Sequence, residues 1–481
     1  MLGAFEMYRR SSRSDRSIGA ASHTPVSSSA RVARTTELAK VGARAGANYA
    51  AFSARSAFAS TDRKAELREH FELQTAEQVA EVLGNMKGAL MKLGQMASYL
   101  DQGLPEPVRE ALAQLQADAP PMSFALVSEV IRAELGATPQ EVFASFEESP
   151  IASASIGQVH RAVTHHGAAV AVKVQYPGVD AAIQADLDNT DLLFGALGLL
   201  FPGLDPVPIV AELRLRILEE LDYRQEARNQ TVFAEYYAGH PTISVPTVHP
   251  ELSTGRVLTT DFADGVGWAE MQTWPDDERN LAAETIYRYA FTGIYRLGIF
   301  NGDPHPGNYL FRPGGHVTFL DYGLCKRFSA DEVRSFAELI QAMVIDGDLS
   351  RFRRTMDRLG FLTRADGFSD DEIGEYMRHF YEMLLVDGVT TVEPEYASKM
   401  VRQYFDLSGP YAEIIRSVTL PGYMVIVQRI NLGLVALMAE MRATANWRRI
   451  CEEIWPFVTA APSTPMGVQI AEWERATGRA V

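Results

Sequence analysis

The spacing of apolar residues near the start of the chain is typical of amphipathic helices. Between residues 75 and 100, apolar side chains recur at intervals of mostly three and four positions, at Val79, Val82, Leu83, Met86, Leu90, Leu93 and Met96. This period predicts a helix with one apolar face, which ends near Gly103 and Pro105. The same spacing predicts helices over residues 107–116 and 124–135, separated by Pro120 and Pro121.

The pattern then changes to the two-residue alternation of β-strands. Residues 156–178, IGQVHRAVTHHGAAVAVKVQYPG, predict two strands joined at His165, His166 and Gly167. Shorter strands are predicted in residues 243–249 and 256–262, and the chain from Asp276 onward is predicted to be mostly helical. A small strand-rich lobe followed by a larger helical lobe is an α+β arrangement.

These patterns divide the chain into four predicted regions. Residues 1–34 form a disordered basic arm, and residues 35–120 form an N-terminal helical extension. Residues 121–262 form the smaller lobe, and residues 263–481 form the helical lobe, so a fold of two lobes is predicted.

Composition and charge exclude several classes of function. The 481 residues are 47% hydrophobic and 22% charged, which is typical of a globular protein. Nine Lys and Arg residues and three acidic residues give residues 1–60 a charge of +6, which leaves −22 for the rest of the −16 total. A body this acidic repels the phosphates of nucleic acids, so we expect no nucleic-acid partner.

Cysteine content and hydropathy bear on the compartment. Two cysteines are too few for a disulfide framework and favour a reducing compartment. No uninterrupted apolar run reaches 18 residues, so no spanning helix is predicted. The basic arm is interpreted as a segment that meets anionic lipid, with an organelle transit peptide as the alternative. The expected location is cytoplasmic or at a membrane surface.

A loop in the predicted helical lobe has the spacing of a kinase catalytic loop. In NGDPHPGNYLF, residues 301–311, four residues separate Asp303 from Asn308, and Asp321 opens a DYG triplet thirteen positions after Asn308. Protein kinases have an Asp, four residues and an Asn, and later a DFG triplet whose Asp binds magnesium. The spacing predicts that Asn308 and Asp321 bind Mg²⁺ and that Asp303 orients the nucleophile. Zinc binding by His305 is disfavoured, since no second His or Cys lies at ligand spacing.

A lysine on a predicted strand supplies a second kinase-like element. Lys173 lies in AVAVKVQ, which we interpret as a strand buried on both faces, and corresponds to the lysine that contacts the α- and β-phosphates of ATP. A buried lysine needs a partner of opposite charge. Glu226, 53 residues later, is the predicted partner and implies inserted helical material between the two.

The usual glycine-rich phosphate loop is missing. Its position holds PIASASIGQVH, in which Ala152, Ser153, Ala154 and Ser155 are the predicted nucleotide-binding residues. Backbone N–H groups and serine hydroxyls still suit phosphate, whereas a plain turn is the alternative interpretation. Backbone groups of Asp261 and Ala263 in LTTDFADG are the predicted contacts to adenine.

Together these motifs resemble the UbiB/ADCK-type atypical kinase-like family, the coenzyme Q kinase group. The resemblance spans about residues 75–350 and implies that the two lobes have a protein-kinase-like fold. Besides the residues named above, it rests on KLGQ, whose Lys92 and Gln95 match the Lys-x-Gly-Gln signature, and on Glu220 and Asp222, which match Glu-x-Asp. Two positions depart from the usual pattern: Ser153 stands for alanine and Tyr322 for phenylalanine. Some bacterial relatives end in hydrophobic membrane helices, which residues 469–481 do not resemble.

The resemblance implies an ATP-dependent enzyme that does not phosphorylate proteins. In this family the helix with the Lys-x-Gly-Gln signature folds over the cleft and meets the Glu-x-Asp carboxylates, where a protein substrate would bind. We therefore expect ATP and Mg²⁺ as cofactors and an ATPase activity that supports isoprenoid-quinone, ubiquinone-type, or related lipid metabolism. The implied partners are nucleotide and a lipid or quinone precursor, and a homodimer is left open.

Two other functions also fit the same residues. Small-molecule phosphotransferases such as the aminoglycoside and choline kinases share the Asp-x4-Asn loop. A nucleotide-gated, lipid-binding scaffold with little turnover is the third interpretation.

Overall fold

The computed structural model describes residues 122–154, 156–180, 221–301, 304–361, 367–405, 409–417 and 422–479. The predicted basic arm and the whole of the predicted helical extension lie outside these ranges. The described residues form two units. The smaller contains residues 122–223 and 250–259, and the larger contains residues 224–249 and everything from residue 260 onward. The four predicted regions remain predictions.

The smaller unit is built around an antiparallel sheet with two helices. The strand order is β1-β3-β4-β6, and β2 pairs with β3. The elements are α1 (Phe124–Leu135), α2 (Pro139–Val142), β1 (Ser145–Phe146), β2 (Ala152–Ala154), β3 (Gly157–Val163), β4 (Ala169–Gln175) and the start of β6 (Val257–Asp261). The predicted helix over residues 124–135 is confirmed, and Gly136 ends it with a left-handed φ of 81°.

The predicted hairpin is strands β3 and β4, paired from Gly157 opposite Gln175 to Val163 opposite Ala169. One face of β4 packs against α1 through its three buried valines, Val170, Val172 and Val174. Lys173 lies on the other face and is partly exposed. The prediction that this strand is buried on both faces was therefore wrong, because successive side chains of a strand point to opposite faces and α1 packs against only one.

Gly157 at the start of β3 is required by its surroundings. A β-carbon at this position would collide with the carbonyl oxygen of Val174 and lie 2.9 Å from the hydroxyl of Tyr223. Only glycine allows the two strands to approach this closely.

The larger unit begins with a helix and two small sheets. These elements are α3 (Tyr223–Tyr236), β5 (Ile243–Ser244), α4 (Trp268–Met271), α5 (Asp276–Thr292), β7 (Ile299–Asn301), β8 (Tyr309–Arg312), β9 (His316–Phe319) and β10 (Cys325–Arg327). The first residue of α3 belongs to the smaller unit, and the last two residues of β6 belong to the larger one. Strands β8 and β9 are antiparallel, β5 joins β9 in parallel, and β7 pairs with β10. Strands predicted over residues 243–249 and 256–262 appear as β5 and β6.

Helices dominate the rest of the larger unit, as predicted. They are α6 (Ala330–Ile340), α7 (Leu349–Arg358), α8 (Asp370–Arg378), α9 (Glu382–Leu385), α10 (Pro394–Phe405), α11 (Ala412–Ser417), α12 (Gly422–Glu440), α13 (Trp447–Glu452) and α14 (Pro465–Thr477), with a short pair of strands, β11 (Thr390–Thr391) and β12 (Thr444–Ala445). Within the described ranges, no helix is long and apolar enough to cross a membrane.

Helix α5 runs through the core of the larger unit. Every residue from Ala282 to Ala290 is buried, which is typical of a helix packed on all sides. The ring of Tyr289 stacks on Phe319 with centroids 3.6 Å apart, and Tyr287 packs against Trp447 at 5.0 Å. The helix thereby joins the sheet that carries the loop of interest to the C-terminal helices.

A buried charge network also connects α5 to the C-terminal helix α14. The guanidinium of Arg288 donates to Glu284 Oε1 at 2.8 Å, to Glu453 Oε2 at 2.8 Å and to Thr464 Oγ1 at 3.1 Å. Thr464 caps α14 by accepting a hydrogen bond from the amide of Gly467 at 2.9 Å. The two carboxylates compensate a charge that would otherwise be unstable in the interior.

Helix α14 packs against the end of α3. The indole N–H of Trp473 donates to the carbonyl of Ala238 at 3.2 Å, and its ring meets Tyr236 edge-on at 6.1 Å. Arg479 lies over both rings and donates to the carbonyl of Glu235 at 3.1 Å. The end of the helix that carries Glu226 is therefore held by residues more than 230 positions later.

His240 in the same region makes stability depend on pH. Its Nδ1 accepts hydrogen bonds from the amides of Thr242 at 3.2 Å and Ile243 at 2.9 Å, so a proton on Nδ1 would break both. Burial, and next the positive charge of Arg288, lowers the pKa of His240 to about 3. Between this value and the ordinary value of 6.5, the unfolded chain binds a proton that the folded chain does not.

We therefore expect stability to fall as the pH drops below 6.5, by about 1.4 kcal/mol per pH unit from this residue. His240→Asn retains an acceptor oxygen but cannot titrate. Urea unfolding between pH 5 and 6.5, above the ordinary range of exposed carboxylates, should give a shallower pH slope for the variant. Equal slopes for the two proteins would contradict a neutral His240 in the folded state.

Candidate functional site

The β8–β9 hairpin brings the two predicted magnesium ligands together. Asn308 directly precedes β8, and Asp321 follows β9 by two residues. Tyr309 pairs with Phe319 at the open end of the hairpin, and the amide of Leu320 donates to the carbonyl of Asn308 at 3.0 Å. Both side chains are partly exposed. The thirteen-residue spacing therefore places the amide and the carboxylate at the same end of one hairpin.

The loop before Asn308 is a short 3₁₀ turn, Pro306–Asn308. His305 caps this turn, because its Nδ1 accepts a hydrogen bond from the amide of Gly307 at 3.1 Å. The amide of Asn308 donates to the carbonyl of His305 at 2.9 Å. These contacts give His305 a role in shaping the loop. Asp303, the predicted nucleophile-orienting residue, lies outside the described residues.

The DYG loop is held by hydrogen bonds on three consecutive residues. Asp321 Oδ1 accepts from the amide of Gly323 at 2.9 Å. The carbonyl of Asp321 accepts from the side-chain amide of Asn301 at 2.6 Å, and the carbonyl of Tyr322 accepts from that of Asn229 at 3.2 Å. Neither Asn229 nor Asn301 was predicted from the sequence, although Asn229 lies one helical turn after Glu226.

Tyr322 anchors this loop in the core. Its side chain is fully buried, and its ring packs against Phe233 of α3 with centroids 5.2 Å apart. Burial raises the pKa of Tyr322 well above the ordinary value, so the hydroxyl stays protonated. The larger ring occupies the place of the usual phenylalanine without exposing the loop.

Glu226 lies on the side of α3 that faces the DYG loop. Glu226 and Asn229 are each 3% exposed and Phe233 is fully buried, and their spacing of three and four residues places them on one face of the helix. A carboxylate buried to this degree requires compensation by hydrogen bonds or positive charge.

Lys173 and Asp222 belong to the smaller unit. The Nζ of Lys173 lies 5.1 Å from the centroid of the Tyr223 ring, within the range of a cation–π contact. Asp222 is partly exposed and directly precedes α3. The pairing of Lys173 with Glu226 stays a prediction. The contact of Glu220 and Asp222 with the Lys-x-Gly-Gln helix also stays a prediction, since Lys92, Gln95 and Glu220 lie outside the described ranges.

The alanine-rich segment is partly a strand. Ala152–Ala154 form β2, which pairs with β3 so that Ser153 lies opposite Gln158 and Ala154 opposite Gly157. The Ser153 side chain is exposed, and Ser155 lies outside the described residues. The segment is therefore the first strand of a tight hairpin, and its contact with phosphate stays a prediction.

The predicted adenine-binding segment begins within β6, whose last residue is Asp261. The amide of Asp261 donates to the carbonyl of Thr247 at 2.8 Å, and its carboxylate contacts His249 Nε2 at 2.9 Å. Ala263 is partly exposed and leads to Val266, which bridges to Phe311 of β8. The contact of Asp261 and Ala263 with adenine stays a prediction, and the amide of Asp261 is already used within the fold.

The side chains of Asn308 and Asp321 fit a magnesium ion by the chemistry of their donor atoms. An amide oxygen and a carboxylate are hard ligands that Mg²⁺ accepts, and this ion usually binds one or two protein carboxylates together with water and phosphate. Both residues lie at the same end of the β8–β9 hairpin, so we expect the pair to bind one cation.

Comparison with known proteins identifies the family. A sequence profile of the ABC1 atypical kinase-like domain matches residues 114–356, just over half of the chain. The chain belongs to this family. The rat protein named atypical kinase COQ8B, mitochondrial, is 34% identical over 306 residues, which cover 63% of this chain and 58% of that protein. Mouse AarF domain-containing protein kinase 1 is 32% identical over 316 residues, or 64% of this chain and 60% of the relative.

A solved structure is similar to this ABC1 family member over most of its length. The complex of Rv3197 with erythromycin from Mycobacterium tuberculosis matches with a TM-score of 0.59 and 33% identity over 82% of this chain and 98% of that one. The predicted UbiB/ADCK relationship and the kinase-like α+β fold are confirmed by these matches. The chain spans about 60% of the length of the two curated relatives, from rat and mouse.

Proposed function

We propose that this ABC1 family member is a Mg²⁺-dependent, ATP-binding kinase-like ATPase that supports isoprenoid-quinone or related lipid metabolism. The observation that carries the proposal is the meeting of Asn308 and Asp321 at one end of the β8–β9 hairpin, with the DYG loop held in place by Asn229 and Asn301. The family match and the kinase names of the relatives support the nucleotide, whereas the lipid role rests on the sequence resemblance.

Each residue has a defined task in this proposal. Asn308 and Asp321 hold Mg²⁺, and Lys173 binds the α- and β-phosphates, with Glu226 as its predicted counter-ion. The bound ion would neutralise charge on the phosphates. Asp303 orients a water molecule or a small acceptor and takes up its proton. Ala152, Ser153, Ala154 and Ser155 cover the phosphates.

The acceptor is proposed to be water or a small molecule. The resemblance implies that a helix with the Lys-x-Gly-Gln signature, matched by Lys92 and Gln95, meets the carboxylates of Glu220 and Asp222 where a protein substrate would bind. We propose a location in the cytoplasm or at a membrane surface. Import into an organelle is the alternative, which the word mitochondrial in a relative's name supports.

Thermal unfolding tests nucleotide binding directly. A ligand at a hundredfold excess over its Kd stabilises a protein by about 2.7 kcal/mol, which shifts the melting temperature by several degrees. We expect ATP with Mg²⁺ to raise the melting temperature by that amount and ATP with EDTA to raise it less. No shift with Mg²⁺ and ATP at any concentration would overturn the proposal.

The erythromycin complex favours a second candidate function, a nucleotide-gated protein that binds a large apolar small molecule with little turnover. The similar protein from Mycobacterium tuberculosis, Rv3197, was solved as a complex with erythromycin. The test is a thermal shift with erythromycin, with and without Mg²⁺ and ATP, alongside phosphate release. A shift that depends on nucleotide while phosphate release stays at background would favour this candidate over the ATPase.

A further inference from the structure

Helix α3 contacts the DYG loop at two points. Asn229 donates its side-chain N–H to the carbonyl of Tyr322 at 3.2 Å, and Phe233, one turn later, packs against the ring of Tyr322. Glu226 lies one turn earlier on the same face of the helix. The helix that carries the proposed counter-ion and the loop that carries a proposed metal ligand therefore share an interface.

We propose that Asn229 is a positioning residue that couples the placement of Glu226 to the placement of Asp321. This inference rests on the proposed function and deepens it, because it concerns the assembly of the same site. When α3 is in place, Asn229 fixes the Tyr322 carbonyl, and the carboxylate of Asp321, one residue earlier, is oriented toward the metal. A displacement of the helix would release the loop, so the two carboxylates reach their working positions together.

The amide of Asn229 is held in one orientation. Its Oδ1 accepts from the side chain of Gln225 at 3.1 Å and from the guanidinium of Arg327 at 3.5 Å. An arginine has only donors, so the oxygen faces Gln225 and Arg327 and the nitrogen faces the Tyr322 carbonyl. The side chain is 3% exposed, which limits competition by water. The contacts with Gln225 and Arg327 therefore hold the side chain of Asn229 so that its N–H points to the carbonyl of Tyr322.

A second amide holds the preceding carbonyl from the other side. Asn301, the last residue of β7, donates to the carbonyl of Asp321 at 2.6 Å and pairs with Cys325 of β10. The loop between Asp321 and Cys325 is therefore also held by β7. A displacement of α3 would break the bond from Asn229 to the Tyr322 carbonyl, whereas the bond from Asn301 to the Asp321 carbonyl is made by a residue of β7.

A purely structural role would lower stability without changing magnesium binding, and Gln230 provides the matched control. It is the next residue on α3, is 1% exposed, and donates its side-chain amide to the carbonyl of Pro246 at 2.7 Å. Pro246 lies outside the DYG loop. Asn229→Ala and Gln230→Ala each remove one buried amide donor to a backbone carbonyl, and only the first contact reaches the loop.

The experiment is a Mg²⁺ titration at fixed ATP, with the shift in melting temperature as the readout. We expect Asn229→Ala to raise the Mg²⁺ concentration at half-maximal shift by about fivefold, the effect of one lost neutral hydrogen bond, and Gln230→Ala to leave it unchanged. Equal midpoints for the two variants would overturn the coupling. A wild-type protein without a Mg²⁺-dependent shift would instead overturn the proposed function.

If Asn229→Ala does not fold, two other experiments test the inference: the Asn229→Asp variant and hydrogen exchange in the wild-type protein. Aspartate retains the acceptor for Gln225 and Arg327 but turns a second acceptor toward the Tyr322 carbonyl, so it should raise the Mg²⁺ midpoint at least as much. In the wild-type protein, Mg²⁺ with ATP should slow amide exchange in α3 and in residues 321–325 together. Protection of the loop with no change in α3 would overturn the inference.

Discussion

Replacing Asp321 with asparagine is expected to abolish most of the stabilisation by Mg²⁺ and ATP. The substitution removes the negative charge that binds the metal but leaves an Oδ1 that can accept from the amide of Gly323, so the loop keeps its shape. If affinity falls a hundredfold, the stabilisation at the same ligand concentration falls from about 2.7 to about 0.4 kcal/mol. The melting-temperature shift measured with Mg²⁺ and ATP should nearly vanish, while the melting temperature of the protein without ligand stays close to wild type.

Asp371→Asn is the control for the loss of one charge. Asp371 is exposed on α8, and its replacement should leave the nucleotide-induced shift unchanged. An Asp321→Asn protein with the full shift would show that this carboxylate is not a metal ligand. ATPase activity should fall in parallel with the shift, because the proposed chemistry requires the same carboxylate.

Replacing Arg288 with alanine is expected to cause the largest loss of intrinsic stability. The change leaves the carboxylates of Glu284 and Glu453 without the guanidinium between them and removes a donor to the N-cap residue of α14, Thr464. Breaking a buried ion pair by removing one partner typically costs about 3–5 kcal/mol. Chemical denaturation without ligand should show a loss of this size.

Arg334→Ala, in α6, is the control for a surface ion pair. Arg334 pairs with Asp331, the two side chains are 68% and 83% exposed, and such surface pairs contribute about 0–1 kcal/mol. We expect the Arg288 variant to lose at least twice as much stability as this control. Similar losses in the two variants would mean that the buried network contributes no more than a surface ion pair.

Local sequence patterns predicted the parts of the fold that depend on near neighbours. The helix over residues 124–135 follows from its apolar spacing, and the hairpin around residues 164–168 follows from alternation and a glycine turn. Asn308 and Asp321 lie at the same end of the hairpin between them because that hairpin is a local structure. Their binding of Mg²⁺ stays a prediction.

Contacts between distant segments were not predictable from the sequence. Asn229 and Tyr322 are 93 positions apart. The periodicity of the two segments does not indicate that the side chain of Asn229 donates a hydrogen bond to the carbonyl of Tyr322. The burial of Lys173 was misjudged because alternation marks the face covered by α1 but does not say what covers the other. These contacts depend on how the helices, strands and loops pack together, and the spacing of residues in a single sequence does not specify that packing.

The docking of α14 onto the end of α3 has a consequence for synthesis. Trp473 bonds to the carbonyl of Ala238 across 235 positions, and Arg479 bonds to that of Glu235 across 244. At 5–20 residues per second, a ribosome takes about 12–47 s to make 235 residues. During that interval the end of the Glu226 helix emerges without its partner, so its aromatic surface is available to a chaperone until the distant helix arrives.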